Sequence, residues 1–493
     1  MTTWRPFIGT LATAAFVSLA FAGPGTAQQK SKTKSVAAAA TAPCHASMSD
    51  LQGFKNALLQ HDLALQGFRT KFRTGSYSTP GSVNRDLAKQ APEELLAATG
   101  EALESMADTQ TGLLMYAITR KPEKRDVLCV WLIGAPGLLA AETSETLPTQ
   151  PISLLARLSL RVESRAAARQ PRPRKAPAKR SPETPAKGEA TAPTMHELSA
   201  VLLPPAIRQK LLEMKFTRLL VLPVADVGTV PWPALPLGDG QLVDQSAVVI
   251  LADIDWILQR QSKVARGPSA AFVVGDPDLS NDPIFEFSPI PASRNEASAI
   301  ASKWSPSTRL LIGDQADRVE VMSALTGGRP ELGLVYFATH GISDSVNPMD
   351  GSFLALKGEH LYARDIKNLA MRGRPLVVMS ACQTGLGKTF DAGVFGLARA
   401  WWQAGAPQVV MSLWNVDDAA TNDLMVDFVE RVVQDRTARD GKRLTLAHEE
   451  ALRQAMLVAR ARNADPALWA SFALFGMPTG PMDEKPRARS VWQ

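Results

Sequence analysis

Two apolar runs, each stopped by a reactive side chain, constrain this chain more than any other feature. Leu334-Val335-Tyr336-Phe337-Ala338-Thr339 ends in His340-Gly341, and Leu376-Val377-Val378-Met379-Ser380-Ala381 ends in Cys382-Gln383-Thr384-Gly385. An unbroken β-favouring run bounded by small residues reads as a parallel strand buried on both faces. Open α/β sheets build their sites outside the carboxyl ends of such strands. A histidine at one strand tip and a cysteine at the next are the two parts of a thiol hydrolase. Each taken alone reads as an inert core group. Together, with Gly341 and Gln383-Thr384-Gly385 offering backbone N–H groups beside them, they supply a nucleophile, a proton carrier and oxyanion donors.

The same segment contains a decoy. Gly385-Leu386-Gly387-Lys388-Thr389 resembles the end of a phosphate-binding loop. That loop needs glycine five positions before its Gly-Lys pair, where this chain has Cys382. A side chain there crowds the turn that wraps the phosphates, so nucleotide binding is disfavoured.

The 493 residues exceed one small core, and 45% hydrophobic with 21% charged residues describe a globular protein. The net charge of +6 is local. Residues 165–190 hold eight basic and two acidic side chains, which leaves zero for the rest and no basic face for nucleic acid. Residues 1–27 read as a signal peptide: Arg5 precedes an apolar stretch, Phe7 to Ala22, with small-residue cleavage sites at Ala20-Phe21-Ala22 and Gly25-Thr26-Ala27. Export to a periplasm is therefore expected, with an uncleaved anchor as the alternative and no stable span after cleavage. Of Cys44, Cys129 and Cys382, an oxidising compartment favours pairing two, and if Cys44 joins Cys129 the candidate nucleophile is left free. Three cysteines and six scattered histidines show no metal-ligand spacing, and no cofactor is implied.

Along the chain, residues 28–43 read as disordered and 44–108 as a helical region with amphipathic patterns at 48–74 and 86–106. Strand-like runs lie at Leu113–Thr119, Val127–Ile133 and Arg218–Leu222, and a helix at Pro204–Met214. Residues 165–194 are a Pro/Ala/Lys/Arg-rich linker or insertion. From 270 the pattern alternates: strands at Ala271–Val274, Arg309–Ile312, Leu334–Ala338, Leu376–Ser380 and Gln408–Leu413, with helices at 293–304, 317–326, 393–404, 417–434 and 447–461. Such alternation predicts an α/β fold with a mostly parallel sheet flanked by helices. His360 and His448 read as surface residues of a loop and a helix.

Further landmarks are Gly275-Asp276-Pro277-Asp278, Gly393-Val394-Phe395-Gly396-Leu397-Ala398-Arg399-Ala400, Ala404-Gly405-Ala406, Ser412-Leu413-Trp414-Asn415-Val416-Asp417-Asp418 and Trp469-Ala470-Ser471-Phe472. With the His340 and Cys382 segments, their order and spacing resemble the CHAT domain, a caspase-like peptidase family related to separases. The resemblance is strong over about 270–480 and weaker back to about 110. It implies a catalytic caspase-like part at 263–480, an amino-terminal, degenerate caspase-like part at 109–262, and a tail at 481–493. It implies a cysteine endopeptidase acting on protein or peptide substrates, with Cys382 as nucleophile, His340 as its partner, and the N–H groups of Gly341 and Cys382 as the oxyanion hole. Gln383 stands where relatives often carry an acidic residue, and no tetratricopeptide array accompanies the domain, so a regulatory partner is left open. Asp417 and Asp418 have two readings: caps of the helix that follows, or, by resemblance to separases, an acidic pocket selecting Lys or Arg. A catalytically silent caspase-like scaffold and a non-peptidase thiol hydrolase or acyltransferase are the rival functions.

Overall fold

The computed structural model describes residues 44–71, 89–106, 110–119, 127–144, 152–160, 162, 172–173, 194–253, 270–305, 307–327, 331–344, 346–381, 388–390, 393–415, 417–437 and 443–479. The expected signal peptide, the 28–43 segment, nearly all of the 165–194 linker, the 481–493 tail and residues Cys382–Gly387 lie outside them.

Eleven strands form one sheet. In chain order they are β1 (Thr111–Thr119), β2 (Val127–Gly134), β3 (Gly137–Ser144), β4 (Arg218–Leu222), β5 (Ala247–Leu251), β6 (Ala270–Pro277), β7 (Thr308–Gly313), β8 (Leu332–Ala338), β9 (Leu376–Ser380), β10 (Gln408–Ser412) and β11 (Phe472–Gly476). Their spatial order is β7-β6-β8-β9-β10-β11-β5-β4-β1-β2-β3. Strands β7, β6, β8, β9 and β10 are mutually parallel. So are β11, β5, β4 and β1. The blocks meet in one antiparallel pairing, β10 with β11, and β2 and β3 complete the far edge as antiparallel hairpins. The amino-terminal strands thus extend the same sheet.

The central strands are apolar on both faces because both faces are covered. Leu334 to Ala338, Leu376 to Met379 and Val409 to Met411 are all buried. The covering helices include α1 (Leu51–Lys71), α2 (Pro92–Glu104), α3 (Pro205–Met214), α4 (Pro291–Trp304), α5 (Arg318–Thr326), α6 (Leu397–Gln403), α7 (Asp418–Val433) and α8 (His448–Arg462). Gly275 permits one close approach. A Cβ there would overlap that of Ala297 on α4 and press on the Ser293 carbonyl at 3.1 Å. Gly405 turns the chain from α6 into β10 at φ +101°, a conformation open to glycine. Segment 393–404 departs from the helical expectation: Gly393–Phe395 pairs with Lys388–Phe390 as a short hairpin, and the helix starts only at Leu397. Lys388 therefore opens a strand, unlike the lysine of a phosphate loop. Edge strand β3 and the five-residue β5 were not among the expected strands, although β5 is itself a short apolar run.

A buried ion pair fastens the two blocks. Arg218 Nε, at the start of β4, lies 2.8 Å from Glu449 Oε1 on α8, and both side chains are almost wholly enclosed. Thr479 Oγ1 donates to Glu449 at 2.6 Å, and Gln408 Nε2, at the start of β10, donates to Thr479 Oγ1 at 3.0 Å. His448 lies in this network beside Gln408 and is buried, contrary to its expected surface position. His360 is also buried. Their polar neighbours, supplied by distant parts of the chain, are invisible to local pattern.

Cys44 and Cys129 form a disulfide with Cα atoms 6.1 Å apart, tying the start of the described chain to β2. It closes a loop with a sequence separation of 85. In the chain-entropy view a loop of this length contributes about 4.6 kcal/mol. A reducing agent should lower the melting temperature of the wild type and leave Cys44→Ser unchanged. Peptide mapping without reductant that recovers both thiols free would contradict the bridge.

Candidate active site

In the parallel block the chain runs from β6 outward to β7, then returns to place β8 on the other side of β6. The crevice between the carboxyl ends of β6 and β8 is the topological switch point, where ligands of such sheets bind. His340 lies there, two residues beyond β8. The backbone around it is pinned: Ala355 N–H donates to the His340 carbonyl at 2.8 Å, and Thr339 Oγ1 donates to the Ala355 carbonyl at 2.8 Å. Gly341 is buried and pairs with Leu354 in a short antiparallel sheet.

The ring of His340 is 3% exposed and packs on Phe287 with centroids 5.1 Å apart. Its Nε2 lies 2.7 Å from the Ser288 carbonyl. A carbonyl only accepts, so Nε2 carries a proton, and in the neutral ring Nδ1 is the acceptor. Burial lowers the imidazole pKa from its ordinary 6.5, opposed by the Ser288 hydrogen bond and the charge of Asp276. Burial thus favours the neutral ring, the form able to take a proton. Asp276 sits at the end of β6 with φ +44° and forms an ion pair of 2.8 Å with Arg294.

The register places Ala338 of β8 opposite Ser380 of β9. His340 and Cys382 each lie two residues further along their own chains. Ser380 and Ala381 are buried; Cys382, the expected nucleophile and second oxyanion donor, lies outside the described residues.

Beneath these strand ends is a buried carboxyl group, Glu296, that sequence reasoning did not find. Tyr336 of β8 donates from its hydroxyl to Glu296 Oε1 of α4 at 2.6 Å. Desolvation pushes Glu296 up to about 7, against the hydrogen bonds of Tyr336 and Ser380 and with help from the charge of Asp418. Asp417 and Asp418 occupy helix starts. Asp417 Oδ1 accepts from Ala420 N–H at 3.1 Å and caps α7, whereas Asp418 Oδ2 accepts from Ala292 N–H at 2.8 Å, in the first turn of α4. Each carboxylate meets orphan donors and the positive end of a helix. Asp418 thereby connects the β10–α7 turn to the helix that carries Glu296. Position 296 appears in sequence only as one polar residue of an amphipathic helix, and Ser288 acts through a carbonyl, which no side-chain pattern reports. Asp276 belonged to a quoted landmark, and its place at the switch point emerges only from strand order.

Residues 192–477 match the CHAT domain family. The chain belongs to that family. Among known proteins, human tetratricopeptide repeat protein 28 is 28% identical over 250 residues, which is 42% of this chain and only 9% of that protein's length. The Saccharomyces cerevisiae separase–securin complex superposes with a TM-score of 0.50 and 11% identity, over 92% of this chain and 35% of that one. Another similar structure is the Arg-specific cysteine proteinase gingipain R, with a TM-score of 0.39 and 13% identity over 58% of this chain and 70% of that one. The CHAT domain here has the caspase-like fold: a large, mostly parallel sheet flanked by helices. Among the described residues, no cluster of His, Cys, Asp or Glu is placed to hold a metal, and no helix is long and apolar enough to cross a membrane.

Glu296 also makes the CHAT domain sensitive to pH. Its folded-state pKa of about 7 lies above the ordinary 4.5. A carboxyl group raised in this way stabilises the fold fully below pH 4.5, and that stability is lost as pH climbs through 7. The linked loss is about 3 kcal/mol. Glu296→Gln, whose amide oxygen still accepts from Tyr336, should flatten this part of the stability–pH curve and gain on the wild type at pH 8. Parallel denaturation curves for the two proteins between pH 4 and 8 would exclude the assignment.

Proposed function

We propose that this CHAT domain is a cysteine endopeptidase that cleaves protein or peptide substrates through His340 and Cys382. The observation that carries the reading is the hold on His340: a buried, neutral-favouring ring at the switch point, with Nε2–H committed to Ser288 and Nδ1 as the acceptor. It ends the strand beside the one that leads into Cys382. In the proposed cycle, Nδ1 takes the thiol proton and the sulfur attacks the scissile carbonyl. The backbone N–H groups of Gly341 and Cys382 receive the oxyanion. His340 returns its proton to the leaving amine, and water then releases the acyl group from sulfur by the reverse use of the same base. Asp417 and Asp418 are proposed to present negative charge to a Lys or Arg side chain at P1 in addition to their helix-terminal roles. A guanidinium matches a carboxylate as a bidentate fork, and an ammonium as a point charge.

A peptide-library digest tests the reading. Cys382→Ala and His340→Ala should each remove hydrolysis, whereas residual kcat/KM above about a tenth of wild type, under ~1.4 kcal/mol of transition-state stabilisation, would dismiss the pair. The acid limb of kcat/KM should fall below pH 6.5, the ordinary histidine value, because protonation disables the base and burial delays it. Asp417→Asn and Asp418→Asn should weaken the preference for basic P1 residues; unchanged selectivity in both leaves them as helix caps. A folded wild type that binds proteins without cutting them would support the scaffold reading, and transfer or hydrolysis of non-peptide acyl groups the third.

The proposed setting is extracytoplasmic, following cleavage of the 1–27 segment. The Cys44–Cys129 disulfide supports it, since such bridges persist in oxidising compartments. Mass spectrometry of protein from its native host should find an amino terminus near Gly23 or Gln28. Recovery of Met1 or Thr2 on cytosolic protein would refute export. A protein partner is part of the proposal; the similar separase structure is a complex with securin, which supports that reading.

A further inference from the structure

The Ser288 carbonyl that orients His340 lies on the segment 278–290 between β6 and α4, in which Phe285–Glu286 pairs with Arg172–Pro173. The interior of that segment holds a second buried pair. His360 Nε2 lies 3.2 Å from Asp282 Oδ2, and the two side chains are 3% and 1% exposed. The other oxygen of Asp282 accepts from the N–H groups of Ile284 at 2.9 Å and Phe285 at 2.7 Å, which fixes the turn leading to Phe287 and Ser288. His360 stacks face to face on Phe353, with centroids 4.2 Å apart and planes 8° from parallel. Phe287 meets the edge of His360 at 5.9 Å and touches His340 at 5.1 Å, so one ring lies against both histidines. Leu356 N–H points at His360 Nδ1 from 3.5 Å, making Nδ1 the acceptor and Nε2 the proton-bearing atom that faces Asp282. The backbone of the same 353–356 stretch pins His340 through Ala355.

We propose that the Asp282–His360 pair is the positioning element for His340: it sets the 282–288 turn so that the Ser288 carbonyl takes Nε2–H and leaves Nδ1 as the only proton acceptor of the ring. The catalytic consequence rests on the peptidase reading; the tautomer itself does not. Asp282 and His360 act through Phe287 and Ser288. Around them, Asp276 faces His340, and aromatic rings of Phe285, Phe287 and Phe353 enclose His360.

Two readouts on the full chain separate these levels. Long-range proton–nitrogen NMR of histidine-labelled protein reports tautomer and titration of His340, assigned by its loss in His340→Ala. Wild type should show the Nε2–H form. In His360→Phe, which keeps a ring against Phe353 and removes the imidazole nitrogen facing Asp282, and in Asp282→Asn, His340 should show mixed tautomers and an altered titration midpoint. His360→Gln, which retains an N–H toward Asp282 and an oxygen for Leu356 N–H, should restore the wild-type signature. On peptide substrates the first two should lose about tenfold or more in kcat with little change in KM, because only the fraction of rings in the correct tautomer can serve as base. His340 signals identical to wild type in folded His360→Phe and Asp282→Asn would overturn the proposal. If Asp282→Asn fails to fold, the comparison of His360→Phe with His360→Gln decides alone, and equal spectra for these two would likewise overturn it. A wild type without hydrolysis would count against the peptidase reading, with the NMR comparison still deciding the positioning.

Discussion

The sheet depends on the strand that closes it. Phe472–Gly476 lies between two parallel blocks that run in opposite senses, pairing antiparallel with Gln408–Ser412 and parallel with Ala247–Leu251. Without it each block would expose a row of unpaired N–H and C=O groups on an apolar strand. The Arg218–Glu449 pair beside this seam is enclosed, and loss of either partner would leave a buried charge, at a cost of roughly 3–5 kcal/mol. The order of the strands places the ends of β6, β8 and β9 together, and the candidate site follows from that order.

The parallel block was readable because continuous apolar runs have few other folded uses. Leu376 to Met379 is buried on both faces, and its uninterrupted hydrophobicity announces that. His340 was equally legible, since the run before it ends abruptly. Position 360 was misjudged because its surroundings come from residues 282, 287 and 353, and a histidine next to Gly358-Glu359 looks solvent-facing until those rings are in place. Glu296 was missed for the same reason. Burial among distant elements raises its pKa, its hydrogen-bond donor is a tyrosine 40 residues away in sequence, and no local window contains both.

The Asp417-Asp418 pair shows how one motif carries two duties. Its first carboxylate closes its own helix and its second closes another, α4. Pattern reading foresaw a cap for the first and had no means of assigning the second, whose donor lies 126 residues away. The geometry ties the turn after β10 to the helix behind β8, and the charge of Asp418 helps to raise the buried carboxyl of Glu296.

The seam strand also sets an order of events in synthesis. Residues 472–476 are made after every other strand of the sheet, yet they sit in its middle rather than at its rim. Until β11 is made, the pairings that join the two blocks cannot form, and the borders of β5 and β10 lack the partner they have in the finished sheet. Closure must await the last strand, and it then fastens the block bearing His340 to the block bearing the disulfide in a single long-range step. Folding of this kind is slow because most of the pairing spans distant positions, and a chaperone that shields the borders of β5 and β10 would act during that interval.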